Sequence, residues 1–182
     1  GIFLKSSTGW VPETHFPFER IEIDTERLEI DANRDFSKNK IFLKRISRSL
    51  PAISALQEAH DAVFEKMDCL ECGNCCKSSS PVFNRTDINR ISAFVGMKAG
   101  VFESTYLVAD SDGDFIPKSK PCPFLEPDNT CQVYELRPKS CRGYPHTDTK
   151  EGWERHALLA GNTVYCPAAY RIVNQIRALS GG

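Results

Sequence analysis

Four cysteines fall within eight residues, Cys69-Leu70-Glu71-Cys72-Gly73-Asn74-Cys75-Cys76, and four more follow singly at 122, 131, 141 and 166. No other feature of the chain limits its folding as tightly. A two-residue spacer between thiols lets the backbone turn two sulfurs back onto one ion. Gly73 sits inside the run, where a tight loop around a metal often needs a positive φ. The vicinal pair Cys75-Cys76 adds a constraint. In an extended segment, neighbouring side chains point to opposite sides, so the two serve different sites or one of them is not a ligand. Eight thiols divide naturally into two sets of four.

The single cysteines have their own contexts. Cys122 lies between Pro121 and Pro123, and Cys166 precedes Pro167. In ferredoxins a remote ligand is often followed by proline, which turns the reading from zinc towards an iron–sulfur cluster, [4Fe–4S] by preference. Zinc remains the alternative, because the same cysteines serve either group. Four thiolates around Zn²⁺ or [4Fe–4S]²⁺ leave a charge of about −2, which nearby donors offset. Lys77, Arg137, Lys139 and Arg142 flank the cysteines. Arg142, directly after Cys141, is the leading candidate to donate to the bound group; bonding to backbone carbonyls or a carboxylate is its alternative. His146 is an alternative ligand for one cysteine. No nucleophile–base arrangement stands out, so no catalytic residue is assigned apart from the metal site. A modifying enzyme with the metal at its active site stays open as a third reading.

Size and charge narrow the compartment and the partners. At 182 residues the chain is large enough to build a core without disulfide staples. Its net charge of −1 exerts no overall pull on nucleic acid or anionic lipid. No apolar run reaches the roughly 18 residues of a membrane span, and Gly1-Ile2-Phe3-Leu4-Lys5 is too short an apolar run for a signal-peptide core. These features argue against a membrane or nucleic-acid partner and leave an unidentified protein or redox partner as the expectation.

The expected architecture is α+β: a small, irregular, metal-stapled domain of short helices and a β-hairpin over residues 49–182, with an N-terminal arm over 1–48. In the arm, Ile21-Glu22-Ile23-Asp24 and Leu28-Glu29-Ile30-Asp31 alternate and read as two short strands. A basic cluster from Arg34 to Arg48 reads as a solvated face. Residues 49–67 read as a helix capped by Ser49, with Ile53, Leu56, Ala59, Val63 and Met67 as its apolar stripe. Thr86 is the expected N-cap of a second helix ended by Gly96. A short helix over 98–107, a hairpin through the turn Asp110–Asp114, a helical turn at 133–136 and a last helix over 164–179 complete the expectation. That Asp-rich turn lacks the glycine and the final Glu of a calcium loop.

Cys69-x-x-Cys72-x-x-Cys75-Cys76, Pro121-Cys122-Pro123-Phe124-Leu125, and Cys131-x-x-Tyr134-Glu135-x-Arg137-Pro138-x-x-Cys141-Arg142-x-Tyr144-Pro145 together resemble the CxxCxxCC family of YkgJ-like proteins, described as zinc- or iron-chelating domains. The segment Thr86-Asp87-Ile88-Asn89-Arg90-Ile91 resembles that family's helix after the first cluster. The resemblance covers roughly residues 68–170 and implies a bacterial, cytoplasmic metalloprotein without implying one reaction. A related cysteine-rich domain occurs in flagellin lysine N-methylase, but this chain carries no glycine-rich methyltransferase fingerprint.

Overall fold

A computed structural model describes residues 3–6, 9–12 and 23–181. They form two compact units: Gly1–Cys72 with Pro145–Gly182, and Gly73–Tyr144. The fold is α+β, mostly helical with two small antiparallel hairpins.

In the first unit, β1 (Phe3–Ser6) pairs with β2 (Gly9–Pro12), Phe3 opposite Pro12. The strand expected at 28–31 is not there: from Thr25 to Ile46 the chain is one helix, α1. Ile21 and Glu22, half of the other expected strand, lie outside the described residues. Alternation over four residues is too short to separate period 2 from period 3.6. The longer pattern decides: Leu28, Ala32, Asp35, Asn39, Phe42, Leu43 and Ile46 are buried at helical spacing, while Ile30 is exposed. Asp24 caps the helix by accepting from the Arg27 amide at 2.8 Å. Much of the basic cluster lies on α1, where Arg34 and Lys38 pair with Asp31 and Asp35.

The next helix, α2, spans Ile53–Phe64, with Ala52 rather than Ser49 at its N-cap. Proline disfavours helical backbone in the residue before it, so Pro51 delays the start. Leu56, Ala59 and Val63 form the expected buried stripe. α3 (Cys69–Cys72) ends this part of the unit. After residue 145 come α8 (Lys150–Glu154), α9 (His156–Tyr165) and α10 (Pro167–Leu179). The single last helix expected over 164–179 is thus two, parted at Cys166 (φ −115°, ψ 112°), because Pro167 begins a new helix in the position proline prefers. α1 packs on α9 and α10, and α10 on α2. Two polar links cross this core: Tyr170 Oη donates to Asp35 at 2.7 Å, and Arg177 donates to buried Asn39 at 2.8 Å.

The second unit opens with α4 (Asn74–Ser78), followed by α5 (Arg85–Phe94) and α6 (Ala99–Tyr106). Asn84, not Thr86, caps α5, in a reciprocal capping box with Asp87. β3 (Leu107–Ala109) and β4 (Phe115–Pro117) form the expected hairpin. Asp110 Oδ1 at its turn is occupied by the amides of Asp112 and Asp114. The core is Phe83, Ile88, Ile91, Phe102, Leu107, Phe124 and Val133, all at most 3% exposed. A 3-10 turn (Tyr134–Leu136) and α7 (Lys139–Arg142) close the unit. Among the described residues, no helix is long and apolar enough to cross a membrane.

Candidate metal centre

Cys75 and Cys76 stand on a helical turn, not on the extended segment assumed from sequence. Gly73 makes this possible. Its φ of 56° lies in the left-handed region, and a Cβ there would sit 2.9 Å from Asn129 Oδ1 and 3.0 Å from Asn129 Cβ. The chain reverses at Gly73 and begins α4, which brings the Cys75 and Cys76 sulfurs to 3.9 Å.

Three further cysteines of the second unit are held by backbone bonds. The Cys122 amide donates to the Cys76 carbonyl at 2.8 Å. Residues 122–132 fold back on themselves through Leu125 N–H to Cys122 O (3.0 Å), Glu126 N–H to Thr130 O (2.8 Å) and Gln132 N–H to Phe124 O (2.9 Å), which sets Cys131 across from Leu125. Cys141 lies on α7. Ser140 Oγ ties that turn to Val82 O at 2.8 Å, and Asp87 Oδ2 accepts from the Lys139 amide at 3.4 Å.

Asp87 and Arg90 organise this segment, a role that spacing alone did not reveal. Asp87 is 1% exposed and receives Arg90 at 2.7 Å; the same Arg90 nitrogen donates to the carbonyls of Leu136 at 3.1 Å and Arg137 at 3.0 Å. An ion pair on α5, with its carboxylate buried and its guanidinium half-buried, therefore pins the backbone that carries Arg137 and leads to Cys141. The sequence signal was present in Thr86-Asp87-Ile88-Asn89-Arg90, but reads equally well as ordinary helix chemistry.

The thiols of this unit act on one another. Burial pushes Cys122 up to about 11, the Phe124 amide opposes it, and the charges of Cys76 and Cys131 push further. Burial pushes Cys141 up to about 12, with Cys76, Cys122 and Cys131 adding to the effect. Cys131 is also raised by burial, against the Val133 amide and the positive charge of Arg137. Cys76 goes the other way, to about 7: the hydrogen bond from Cys75 outweighs burial, and Arg137 and Lys77 help. Cys76, Cys122, Cys131 and Cys141 thus form one electrostatically linked set, with Cys75 beside it.

The remaining cysteines, Cys69, Cys72 and Cys166, belong to the first unit. Cys166 is buried and pushed up to about 12, with Cys69 and Cys72 contributing by charge. Its sulfur accepts from the Ala169 amide at 3.4 Å, at the start of α10. All eight cysteines are free thiols. Arg142 is exposed on α7; the guanidinium whose charge reaches Cys76 and Cys131 is that of Arg137. His146 belongs to the first unit, half-buried, with a φ of 64°.

The donor chemistry fits a thiophilic metal. Cys122, Cys131 and Cys166 each receive backbone amide bonds that favour the thiolate, and a buried thiolate needs such donors together with a cation to offset its charge. Among the described residues, no three His, Cys, Asp or Glu side chains converge at single-ion distances. The set is therefore a linked group of donors rather than a closed tetrahedron.

A family model, CxxCxxCC, described as "Putative zinc- or iron-chelating domain", matches residues 68–167, more than half of the chain. No curated protein and no solved structure matches. The matched span takes in all eight cysteines, the α5 ion pair and the segment it pins, so by sequence match and donor chemistry alike the chain belongs to the CxxCxxCC family of zinc- or iron-chelating domains.

Proposed function

We propose that the chain is an iron–sulfur protein with a redox, sensing or cluster-presenting role, and that its thiols serve two sites. Cys76, Cys122, Cys131 and Cys141 supply one site. Cys69, Cys72 and Cys166 supply ligands to the other. The observation that carries this reading is that Cys76, Cys122, Cys131 and Cys141 come from three chain segments of one compact unit, with the Cys122 amide bonded to the Cys76 carbonyl at 2.8 Å; the charge of Cys76 acting on the other three thiols supports it. Amide donors at the sulfurs support it, because hydrogen bonds to sulfur are one of the means by which proteins tune clusters. The Cys122-Pro123 and Cys166-Pro167 contexts favour iron–sulfur over zinc. When bound, such a group supplies one-electron chemistry; the chain's residues hold it, offset its charge and limit water around it.

The test is anaerobic purification followed by measurement of iron, zinc and acid-labile sulfide per chain, repeated on Cys141→Ser and Cys166→Ser. Iron with matching sulfide is expected, with each variant losing part of the metal and keeping the rest. Zinc without sulfide would replace the cluster by a structural zinc module on the same thiols. Unchanged metal in both variants would refute the site assignment.

A further inference from the structure

Residues 145–149 lie in the first unit, just ahead of α8, and three helices hold them. Asn162 Nδ2 of α9 donates to the Pro145 carbonyl at 3.2 Å, Trp153 Nε1 of α8 donates to the Thr147 carbonyl at 2.9 Å, and the Thr147 hydroxyl meets His60 Nδ1 of α2 at 2.8 Å. Thr147 and Trp153 are fully buried. Within the segment, His146 has a φ of 64°, in the left-handed region that residues with a Cβ seldom adopt, so its surroundings rather than local preference keep this shape. The bonds from α8 and α9 join the segment to the helices that follow it, whereas the one from His60 spans 87 residues. That bond also has a direction. Among the described residues, His60 Nδ1 is the one hydrogen-bond partner of the Thr147 hydroxyl. A buried hydroxyl proton without an acceptor is costly, so Oγ–H donates and Nδ1 accepts, which places the ring proton on Nε2. A protonated imidazole carries N–H on both nitrogens and accepts at neither.

We propose that His60 and Thr147 form an acid-sensitive latch between α2 and residues 145–149: it is closed while the imidazole is neutral and opens when the ring takes up a proton, and its opening loosens the Thr147 carbonyl from Trp153. The latch does not rest on the metal-site reading. The ring packs on Phe64 with centroids 4.5 Å apart. Burial holds it below its ordinary value of 6.5, outweighing Asp148 of the segment and Asp61 of its own helix, whose charges favour the protonated form. The other charged groups near α2 are engaged elsewhere. On α10, Tyr170 and Arg177 bond to Asp35 and Asn39 of α1, and Arg171 is exposed. On α8, Lys150 and Glu154 line a cavity with Ile53 and Leu56 and pair with each other at 3.3 Å. A histidine whose folded value is lowered stabilises the fold above its unfolded value of 6.5, and that contribution is lost as the pH falls through the folded one. The latch is therefore closed at neutral pH and opens in mild acid.

The test is NMR of the ¹⁵N-labelled chain under reducing conditions from about pH 5 to 8, reading the His60 ring nitrogens and the exchange protection of the Trp153 indole N–H. The His60 midpoint is expected below 6.5, with the ring proton on Nε2 above it. Protection of the indole is expected to fall about 3–10-fold as the ring protonates, the equilibrium worth of one typical hydrogen bond. His60→Asn offers an acceptor that does not titrate, close to the place of Nδ1, and is expected to remove this step. Thr147→Val removes the hydroxyl and is expected to raise the His60 midpoint by about 0.5–1 pH unit. Acid release of any thiolate-bound metal acts on all variants alike, so an acid step of wild-type size in His60→Asn would trace the step to other groups and overturn the proposal. An unmoved midpoint in Thr147→Val would overturn it too, as would indole protection that ignores the titration. A ring proton on Nδ1 above the midpoint would reverse the bond and refute the latch on the wild-type chain alone, which decides the matter if a variant does not fold.

Discussion

Gly152→Ala sets steric cost against helix propensity, and the two predict opposite signs. Gly152 lies in α8, where alanine is ordinarily worth about 1 kcal/mol more than glycine. Here a Cβ would sit 1.8 Å from the His146 carbonyl oxygen, 2.8 Å from its carbon and 2.9 Å from the His146 Cβ. A comfortable carbon–oxygen contact is about 3.3 Å or more, so something must move by about 1.5 Å. The carbonyl cannot retreat freely. Its flanks are held by Asn162 Nδ2 donating to Pro145 O at 3.2 Å and by buried Trp153 Nε1 donating to Thr147 O at 2.9 Å. Thr147, fully buried, also pairs its hydroxyl with His60 Nδ1 at 2.8 Å. Overpacking costs about 1–3 kcal/mol, and loosening the Trp153 bond adds about 1 kcal/mol or more. Net of propensity, the expected destabilisation is about 1–3 kcal/mol. In a chain of this size that lowers the melting temperature by roughly 2–12 °C. Gly161→Ala in α9 is the control, because a Cβ there meets nothing within 4 Å; it should raise the melting temperature by up to about 3 °C. Both are measured by thermal unfolding in the same metal and reductant conditions, since bound metal shifts the midpoint. An unchanged or higher melting temperature for Gly152→Ala would refute the steric argument.

Two further predictions concern the cores. Phe102 is fully buried and stacks on Phe124 at 5.8 Å, so Phe102→Ala should cost the second unit about 3–5 kcal/mol in chemical denaturation; a loss under about 1 kcal/mol would contradict the packing. Asp35 is held down to about 2 by the Arg34 hydrogen bond and then by Tyr170. A depressed carboxylate stabilises the fold above its unfolded value of about 3.9, and that contribution disappears as pH falls through 2. With exposed Arg34 and Lys38 as partners, screening leaves about 1 kcal/mol. The melting-temperature gap between wild type and Asp35→Asn should therefore be present at pH 5 and closed near pH 2; a gap that persists at pH 2 would exclude this origin.

The legible parts of this protein are those decided within a few residues. Gly73 and Gly96 adopt the positive φ expected of them, the hairpin around Asp110–Asp114 is present, and the stripe Leu56, Ala59, Val63 is buried. Each follows from local geometry or from a period sustained over several turns. The failures have equally local causes. Alternation over Leu28–Asp31 was too short to reveal the helix that contains it, and two good caps, Thr86 and Asn84, compete within three residues. At the candidate site, the spacing of the eight cysteines already announced a thiophilic donor set.

Which thiols share a compact unit was beyond the sequence. Closing a loop costs only a slowly growing entropy with length, so spacing alone hardly ranks the pairings among Cys76, Cys122, Cys131 and Cys141. The tertiary structure sorts them, by placing five cysteines in one unit and three in the other. It also separates the two arginines that look alike in sequence. Arg142 follows a cysteine yet faces solvent, whereas Arg137 is stacked on Tyr134 and pinned through Arg90 and Asp87. Residue type and spacing specify what chemistry a chain can perform; long-range packing decides which of its donors meet, because burial and partner charges are properties of the folded neighbourhood.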